Sequence, residues 1–239
     1  MNTAPITHNL LALLRAGAFD TKEQLVPLSA WKWRKTFELA NDQGVAGTTG
    51  MGVKRLSDAF FLQLPDDLRD RWLQASDKGI QTTDDDVQFY NALRQRALQH
   101  IVNENEDEAT LAMLKNMART LRQLVDGGPF LRPLTLLALN VRSGRQWVDY
   151  ELMKQWIKRL HLQGASHYIG ILMVDLLHID PKDVLFTTVK NEDCLTHAER
   201  FSLTGQLSPR TMGLFKYAPT ESLATLWGAW VVKMKSVEE

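Results

Sequence analysis

The chain has 239 residues, of which 44% are hydrophobic and 23% are charged, and 28 Lys and Arg residues balance 28 Asp and Glu residues. This composition is typical of a folded protein of one or two domains and excludes a disordered or collagen-like chain. Because the net charge is zero, no overall positive field attracts nucleic acid or anionic lipid, and we expect no nucleic-acid partner.

The cysteine content and the N-terminal residues predict a cytoplasmic protein. The single cysteine, Cys194, cannot form an intramolecular disulfide, so the fold does not need an oxidising compartment. Residues 1–8 lack the positive charge of a secretory signal. The longest apolar stretch, residues 168–179, is interrupted by Asp175 and His178 and is shorter than the roughly 20 residues that span a bilayer. We therefore expect no membrane contact.

The residue composition favours helices over strands. Leu, Ala and Met total 64 residues, whereas the β-branched Val and Ile total 21, and the first group has the higher helix propensity. Apolar residues at helical spacing predict a first helix that ends at Gly17, and Ser29 is predicted to cap a second helix that ends before Gly44. Residues 45–64 are ambiguous, because each glycine weakens a helix by about 1 kcal/mol relative to alanine and three occur there, at positions 47, 50 and 52.

Two helices are predicted in the next part of the chain. One begins after Pro65 and ends near Gly79, because the acidic residues after the proline suit the positive end of a helix. The other begins at Thr83, continues at three- and four-residue steps through Leu93 and ends near Asn103.

A longer helix precedes the most prominent turn signal of the sequence. Its apolar residues repeat at helical spacing at positions 111, 114, 117, 121 and 124, and it is predicted to end at the Gly-Gly-Pro of residues 127–129. We place a boundary there, because proline cannot continue a helix. It divides an N-terminal helical half, residues 1–126, from a C-terminal helical half, residues 130–239.

The C-terminal half is also predicted to be helical. An apolar segment at 131–139 and a polar loop at 142–145 precede a helix at 149–160 and a mostly buried helix at 165–178. Asp180 and Pro181 then supply an N-cap followed by a proline at the first helical position, and the last helix follows at 220–230. We predict an all-α multi-helix bundle, with two halves packed together or one compact domain.

One acidic cluster contains candidate ligands for a metal ion. Asp84 and Asp86 stand in an acidic triplet, similar to the paired aspartates that hold Mg²⁺ in phosphoryl transfer. No glycine-rich phosphate loop precedes them, so we favour helix capping and keep metal binding as the alternative.

Two pairs of side chains, each of which includes a histidine, are candidate reactive groups. Asp175 and His178 stand three residues apart, a spacing that could share a metal or form an acid–base pair, but their apolar neighbours favour a pair that satisfies itself or the backbone. Cys194 stands three residues before His197, yet the adjacent acids oppose thiolate formation and favour a passive thiol. We expect no catalytic residue, metal or cofactor.

The main basic region lies between residues 130 and 160, where Lys and Arg exceed Asp and Glu by four. Arg132, Arg142 and Arg145 are the candidate residues there for contact with phosphate, with a partner or with the acidic stretch at 104–108. The simpler interpretation, which we favour, is a solvated helix face with ordinary surface ion pairs. The seven tryptophans are interpreted as packing residues, and exposed ones would favour a protein interface.

Several segments resemble the helical N- and C-terminal regions of an uncharacterised nucleotidyltransferase family that is common in Bacteroidetes. The resemblance covers about half of the chain and rests on packing and capping residues, in segments 10–17, 33–40, 45–47, 64–68, 149–160, 165–177 and 215–223. It implies a helical shell around a catalytic sheet that carries a Gly-Asp-x-Asp motif. The chain lacks that motif, and no catalytic residue carries over.

We therefore interpret the chain as a non-catalytic helical protein that acts through protein–protein contacts, with an unknown partner or with itself as an oligomeric scaffold or regulator. The alternative is a diverged Mg²⁺-dependent nucleotidyl or phosphoryl transferase that uses Asp84 and Asp86 as metal ligands.

Overall fold

The computed structural model describes residues 4–79, 87, 89, 91–126, 128–143 and 146–190. All regular structure in these residues is helical, which confirms the all-α prediction. The elements are α1 (Ala4–Phe19), α2 (Ala30–Asp42), α3 (Ala46–Arg55), α4 (Asp66–Ser76), α5 (Ala92–Glu104), α6 (Glu108–Asp126), α7 (Leu131–Ser143), α8 (Tyr150–Arg159), α9 (Gln163–Leu177) and a 3₁₀ turn (Pro181–Asp183).

Helix α1 lies at the centre of the bundle. It packs against α2, α3, α7 and α9, and most of its residues, polar ones included, are buried. A helix that is buried on nearly every side has no solvent face for charged residues. The one charge in its buried part, on Arg15, therefore needs a partner inside the protein.

Gly17 does not end α1, contrary to the sequence prediction. The helix continues to Phe19, and the residue that turns left-handed after it is Asp20, with φ of 57°. Gly17 instead faces α3, where a Cβ would overlap the carbonyl oxygen of Thr48, and Gly52 of α3 faces the carbonyl of Leu13 in the same way. The two glycines let the backbones of α1 and α3 touch.

The opposite side of α3 is equally close to α4. A Cβ on Gly50 would overlap the carbonyl oxygen of Trp72, and one on Gly47 would overlap that of Gly79, just beyond α4. Helix α3 is thus held between two neighbouring helices. This packing resolves the ambiguity of residues 45–64, because close approach of backbones offsets the low helix propensity of glycine.

Several predicted helix boundaries are confirmed. Ser29 caps α2, with its hydroxyl 3.5 Å from the backbone nitrogen of Lys32, and Gly44 turns left-handed after that helix with φ of 65°. Asp149 caps α8 through a 2.9 Å hydrogen bond from the backbone N–H of Leu152. These boundaries depend on local hydrogen bonds, which is why the sequence predicted them.

Helix α5 begins later than predicted. Its cap is Asn91, whose side chain accepts hydrogen bonds from the backbone N–H groups of the two residues at positions 93 and 94. Val87 and Phe89 are not helical, because the amide of Gln95 bonds the backbone of both. The predicted start at Thr83 lies outside the described residues. Leu93, one of the residues at the predicted helical spacing, is exposed.

The helices after residue 105 mostly follow the prediction. Helix α6 buries all five predicted apolar positions, and α8 buries Met153, Trp156 and Ile157. The predicted polar loop at 142–145 is wrong at its start, because Arg142 and Ser143 belong to the last turn of α7. The rest of that loop and the predicted last helix at 220–230 lie outside the described residues.

The predicted halves share one buried cluster, which contains residues from both sides of positions 127–129. The side chain of Gln43 accepts a hydrogen bond from the backbone of Leu131 at 3.3 Å, across the same boundary. Within the described residues, no helix is both long and apolar enough to cross a bilayer.

Candidate functional site

The structure places two of the five predicted site residues. Asp84, Asp86 and Arg145 lie outside the described residues. Arg132 and Arg142 both lie on α7, and their ten-residue separation corresponds to about 15 Å along the helix axis. Their contact with a phosphate or a partner stays a prediction.

Arg142 contacts the end of α1. Its guanidinium lies 5.1 Å from the centre of the Phe19 ring, and its Nη1 donates to the Phe19 carbonyl at 3.4 Å. Arg55 of α3 donates to the carbonyls of Ala16 and Gly17 at 2.6 and 2.8 Å. Two arginines thus stabilise the negative C-terminal end of α1, which gives Arg142 a structural role.

Asp175 and His178 do not share a helical face. His178 lies after the last residue of α9 in a left-handed conformation, with φ of 54°, and its backbone N–H bonds the carbonyl of Met173. Among the described residues, no group of three or more His, Cys, Asp or Glu side chains could hold a metal ion. Cys194 and His197 lie outside those residues.

Among the described Lys, Arg, Asp and Glu residues, only Arg15 is buried, and it pairs with Glu23. Their side chains are only 6% and 10% exposed, and two hydrogen bonds of 3.0 and 2.7 Å join the guanidinium to both carboxylate oxygens. Arg15 also donates to the carbonyl of Leu176 at 3.0 Å, and Thr21 donates to Glu23 at 2.9 Å. The pair connects α1, the segment that follows it and the end of α9.

This cluster changes the protonation of two groups. Burial by itself would raise the pKa of Glu23, but the hydrogen bonds and charge of Arg15 outweigh it and lower the pKa below 4.5. Burial and the positive charge of Arg15 lower the pKa of His178 below 6.5, although Glu23 and Asp175 oppose that shift. We expect a neutral His178 beside an ionised Glu23 at neutral pH.

We predict that acidification destabilises the protein in two windows. The unfolded chain takes up a proton on His178 below pH 6.5 and on Glu23 below pH 4.5, while the folded chain takes up each at lower pH. The unfolded state therefore binds more protons in each window, and the free energy of unfolding falls as the pH falls. Urea unfolding at a series of pH values measures both slopes.

The variant His178→Asn separates the two windows, because asparagine tolerates the left-handed conformation but does not titrate. We expect it to reduce the slope below pH 6.5 and to leave the slope below pH 4.5 unchanged. An unchanged upper slope would contradict the assignment to His178. His8, whose positive charge also contributes to the lowered pKa of His178, serves as the control through His8→Asn, which we expect to have a smaller effect.

A groove lies between the start of α5 and the end of α8. It has a volume of about 450 Å³ and is lined by Asn91, Leu93, Arg94, Ala97, Arg159 and His161. Arg94 donates to the carbonyl of His161 at 3.1 Å, and Arg159 lies 3.9 Å from the carboxylate of Glu104. The second contact joins the basic region at 130–160 to Glu104, the first residue of the acidic stretch.

Two exposed aromatic side chains lie in the segment between α3 and α4; we call them the aromatic face: Phe60 and Phe61. Their rings stack edge to face with ring centres 5.1 Å apart. Trp31, in the first turn of α2, is also exposed.

The buried ion pair and the groove are not apparent from the amino-acid sequence. A lone arginine inside an otherwise apolar helical segment was the available signal for Arg15, because an isolated buried charge needs a partner. Nothing in the spacing identifies Glu23 as that partner. The groove joins residues about 65 positions apart in the chain, and no local pattern connects them.

Comparison with known proteins gives no assignment: the chain matches no protein-family model, no curated protein and no solved structure.

Proposed function

We propose that this chain is a non-catalytic helical protein that acts through protein–protein contacts, as an interaction or regulatory module or as an oligomeric scaffold. The supporting observation is the aromatic face. Phe60 is 78% exposed, and burying such a side chain contributes about 2 kcal/mol of hydrophobic free energy. Aromatic side chains are enriched where proteins bind one another.

The charge of the protein favours the same proposal. A net charge of zero provides little mutual repulsion between copies. Two of the described arginines, Arg142 and Arg55, also have structural roles at the end of α1. Both observations favour binding through apolar side chains over binding or catalysis by charged side chains.

Sedimentation velocity of the full chain over a range of concentrations tests self-association. We expect association that weakens at least about tenfold, or about 1.4 kcal/mol, in the double variant Phe60→Ser with Phe61→Ser. Trp147→Ser is the matched control, because Trp147 is 74% exposed and lies next to α8. Equal effects of the two changes would contradict a specific role for the aromatic face.

A photo-cross-linking residue at position 60 tests contact with another protein in cells of the source organism. We expect a discrete adduct that a second change, Phe61→Ser, removes and that the same residue at the exposed position 54 does not form. A monomeric chain without a position-specific adduct would overturn the proposal.

Titration calorimetry with Mg²⁺ and nucleoside triphosphates tests the non-catalytic part. Micromolar binding requires about −8 kcal/mol of specific contacts. Such binding would overturn the proposal in favour of the diverged transferase, and its loss in Asp84→Asn with Asp86→Asn would identify the ligands.

A further inference from the structure

We propose that the α5–α8 groove binds an acidic segment of a partner protein, in which Asp or Glu stands beside a large apolar side chain. This inference rests on the proposed function, but it concerns a surface separate from the aromatic face. Its three supports are an uncovered apolar strip, an excess of positive charge and an oriented guanidinium.

The apolar strip is formed by α5. Leu93 and Ala97 are four residues apart and therefore lie on the same side of the helix, and both line the groove. Leu93 is 73% exposed, whereas Ala97 packs partly against the core and Leu98 and Ile101 of the same helix are buried in it. A leucine left in water beside a concave surface gains hydrophobic free energy when a partner covers it.

The lining of the groove is positive, although the whole chain is neutral. It contains two arginines, Arg94 and Arg159, and no Asp or Glu. Charge complementarity therefore selects an acidic occupant.

The guanidinium of Arg94 is held in place at one side of the groove. Its Nη2 donates to the carbonyl of His161, a residue whose backbone is left-handed, with φ of 52°. An oriented guanidinium loses less conformational entropy when it binds a carboxylate. Arg159 is 46% exposed, and its Nη1 lies 3.9 Å from Glu104, a separation longer than a hydrogen bond, so a carboxylate with better geometry can compete for it.

These supports together favour a peptide over a free anion. A small anion would use the arginines and leave Leu93 in water, whereas an acidic peptide with a neighbouring Leu, Phe or Trp would use both. A second copy of this chain and a free anion are the competing occupants.

Selection of random displayed peptides on the immobilised full chain provides the test. We expect the selected peptides to be enriched in Asp or Glu adjacent to Leu, Phe or Trp. The affinity of the most enriched peptide, measured by fluorescence anisotropy, should fall at least about tenfold in Arg159→Glu and in Leu93→Ser. Both side chains are exposed, and circular dichroism checks that each variant folds.

Arg34→Glu is the matched control. Arg34 is 48% exposed and lies 3.5 Å from Asp67, so it resembles Arg159 in exposure and in its pairing with an acid, but it belongs to α2. We expect it to change the affinity less than about twofold.

Three results would overturn the inference. The first is the absence of an enriched acidic sequence among the selected peptides. The second is an equal loss of affinity in Arg34→Glu. The third is displacement of the peptide by acetate or phosphate alone at moderate concentration, which would indicate a free-anion site. A failure here leaves the aromatic-face experiments unaffected, because those use sedimentation and cross-linking at positions 60 and 61. Self-association that Arg159→Glu abolishes would instead identify a second copy as the occupant.

Discussion

Gly52→Ala is expected to lower the free energy of unfolding by about 3 kcal/mol, the upper end of the usual cost of overpacking a core. A Cβ at position 52 would overlap the carbonyl group of Leu13 and come within 3.1 Å of its Cα. These are backbone atoms of a buried helix, so they cannot rotate away as a flexible side chain would. Helix α3 must shift away from α1, and the core contacts on both sides loosen.

The sign of this effect is informative. In an unconstrained helix interior, alanine is more stable than glycine by about 1 kcal/mol, so local propensity alone predicts stabilisation. Urea unfolding followed by circular dichroism measures the difference. A stabilised Gly52→Ala variant would contradict the close crossing of α1 and α3.

Gly79→Ala is the comparison. Gly79 has φ of 59°, and a Cβ added there would meet no atom within 4 Å, so alanine at this position meets backbone strain but no neighbour. We expect a cost of about 1 kcal/mol, smaller than that of Gly52→Ala. The comparison separates the cost of a strained φ from the cost of forcing two helices apart.

The sequence predicted the helices whose signals are local. Helix α6 has a clean apolar repeat, and the caps of α2 and α8 are side chains that bond backbone groups within three residues. Such features depend on the chain's immediate neighbourhood. The all-α class followed from them without any knowledge of how the helices pack.

The glycines of α1 and α3 show what a sequence pattern cannot reveal. Gly17 was interpreted as a helix stop, which is the commonest local role of glycine near a helix end. Its role in the structure depends on Thr48, a residue on another helix. The same holds for Gly47, Gly50 and Gly52: their local effect is unfavourable, and the compensating close approach exists only after α1, α3 and α4 have packed.

The candidate sites were less predictable than the fold for a related reason. The sequence predicts that Leu93 continues the periodic pattern of a helix that starts at Thr83. The cap at Asn91 gives the described helix a later beginning, and its core side is formed by Leu98 and Ile101. Surfaces formed by two distant helices, such as the α5–α8 groove, require the tertiary arrangement.

Arg15→Met is expected to lower the free energy of unfolding by about 4 kcal/mol, because removal of one partner from a buried ion pair leaves the other charge unpaired. Glu23, whose side chain is 10% exposed, would lose two hydrogen bonds to Arg15, and the carbonyl of Leu176 would lose its donor. The pKa of Glu23 would rise, since burial opposes the charged carboxylate and Arg15 no longer offsets it. Urea unfolding at several pH values measures both the lower free energy of unfolding and the raised pKa of Glu23.

Lys154→Met is the matched control for that variant. Lys154 and Glu151 are also joined at 2.7 Å, but their side chains are 47% and 79% exposed, so we expect a change below about 1 kcal/mol. The double variant Arg15→Met with Glu23→Leu should recover part of the lost stability, because no charge is then left unpaired inside the protein. If the double variant is less stable than Arg15→Met alone, the cost arises from lost packing around α1 rather than from an unpaired carboxylate, and the electrostatic account of this cluster fails.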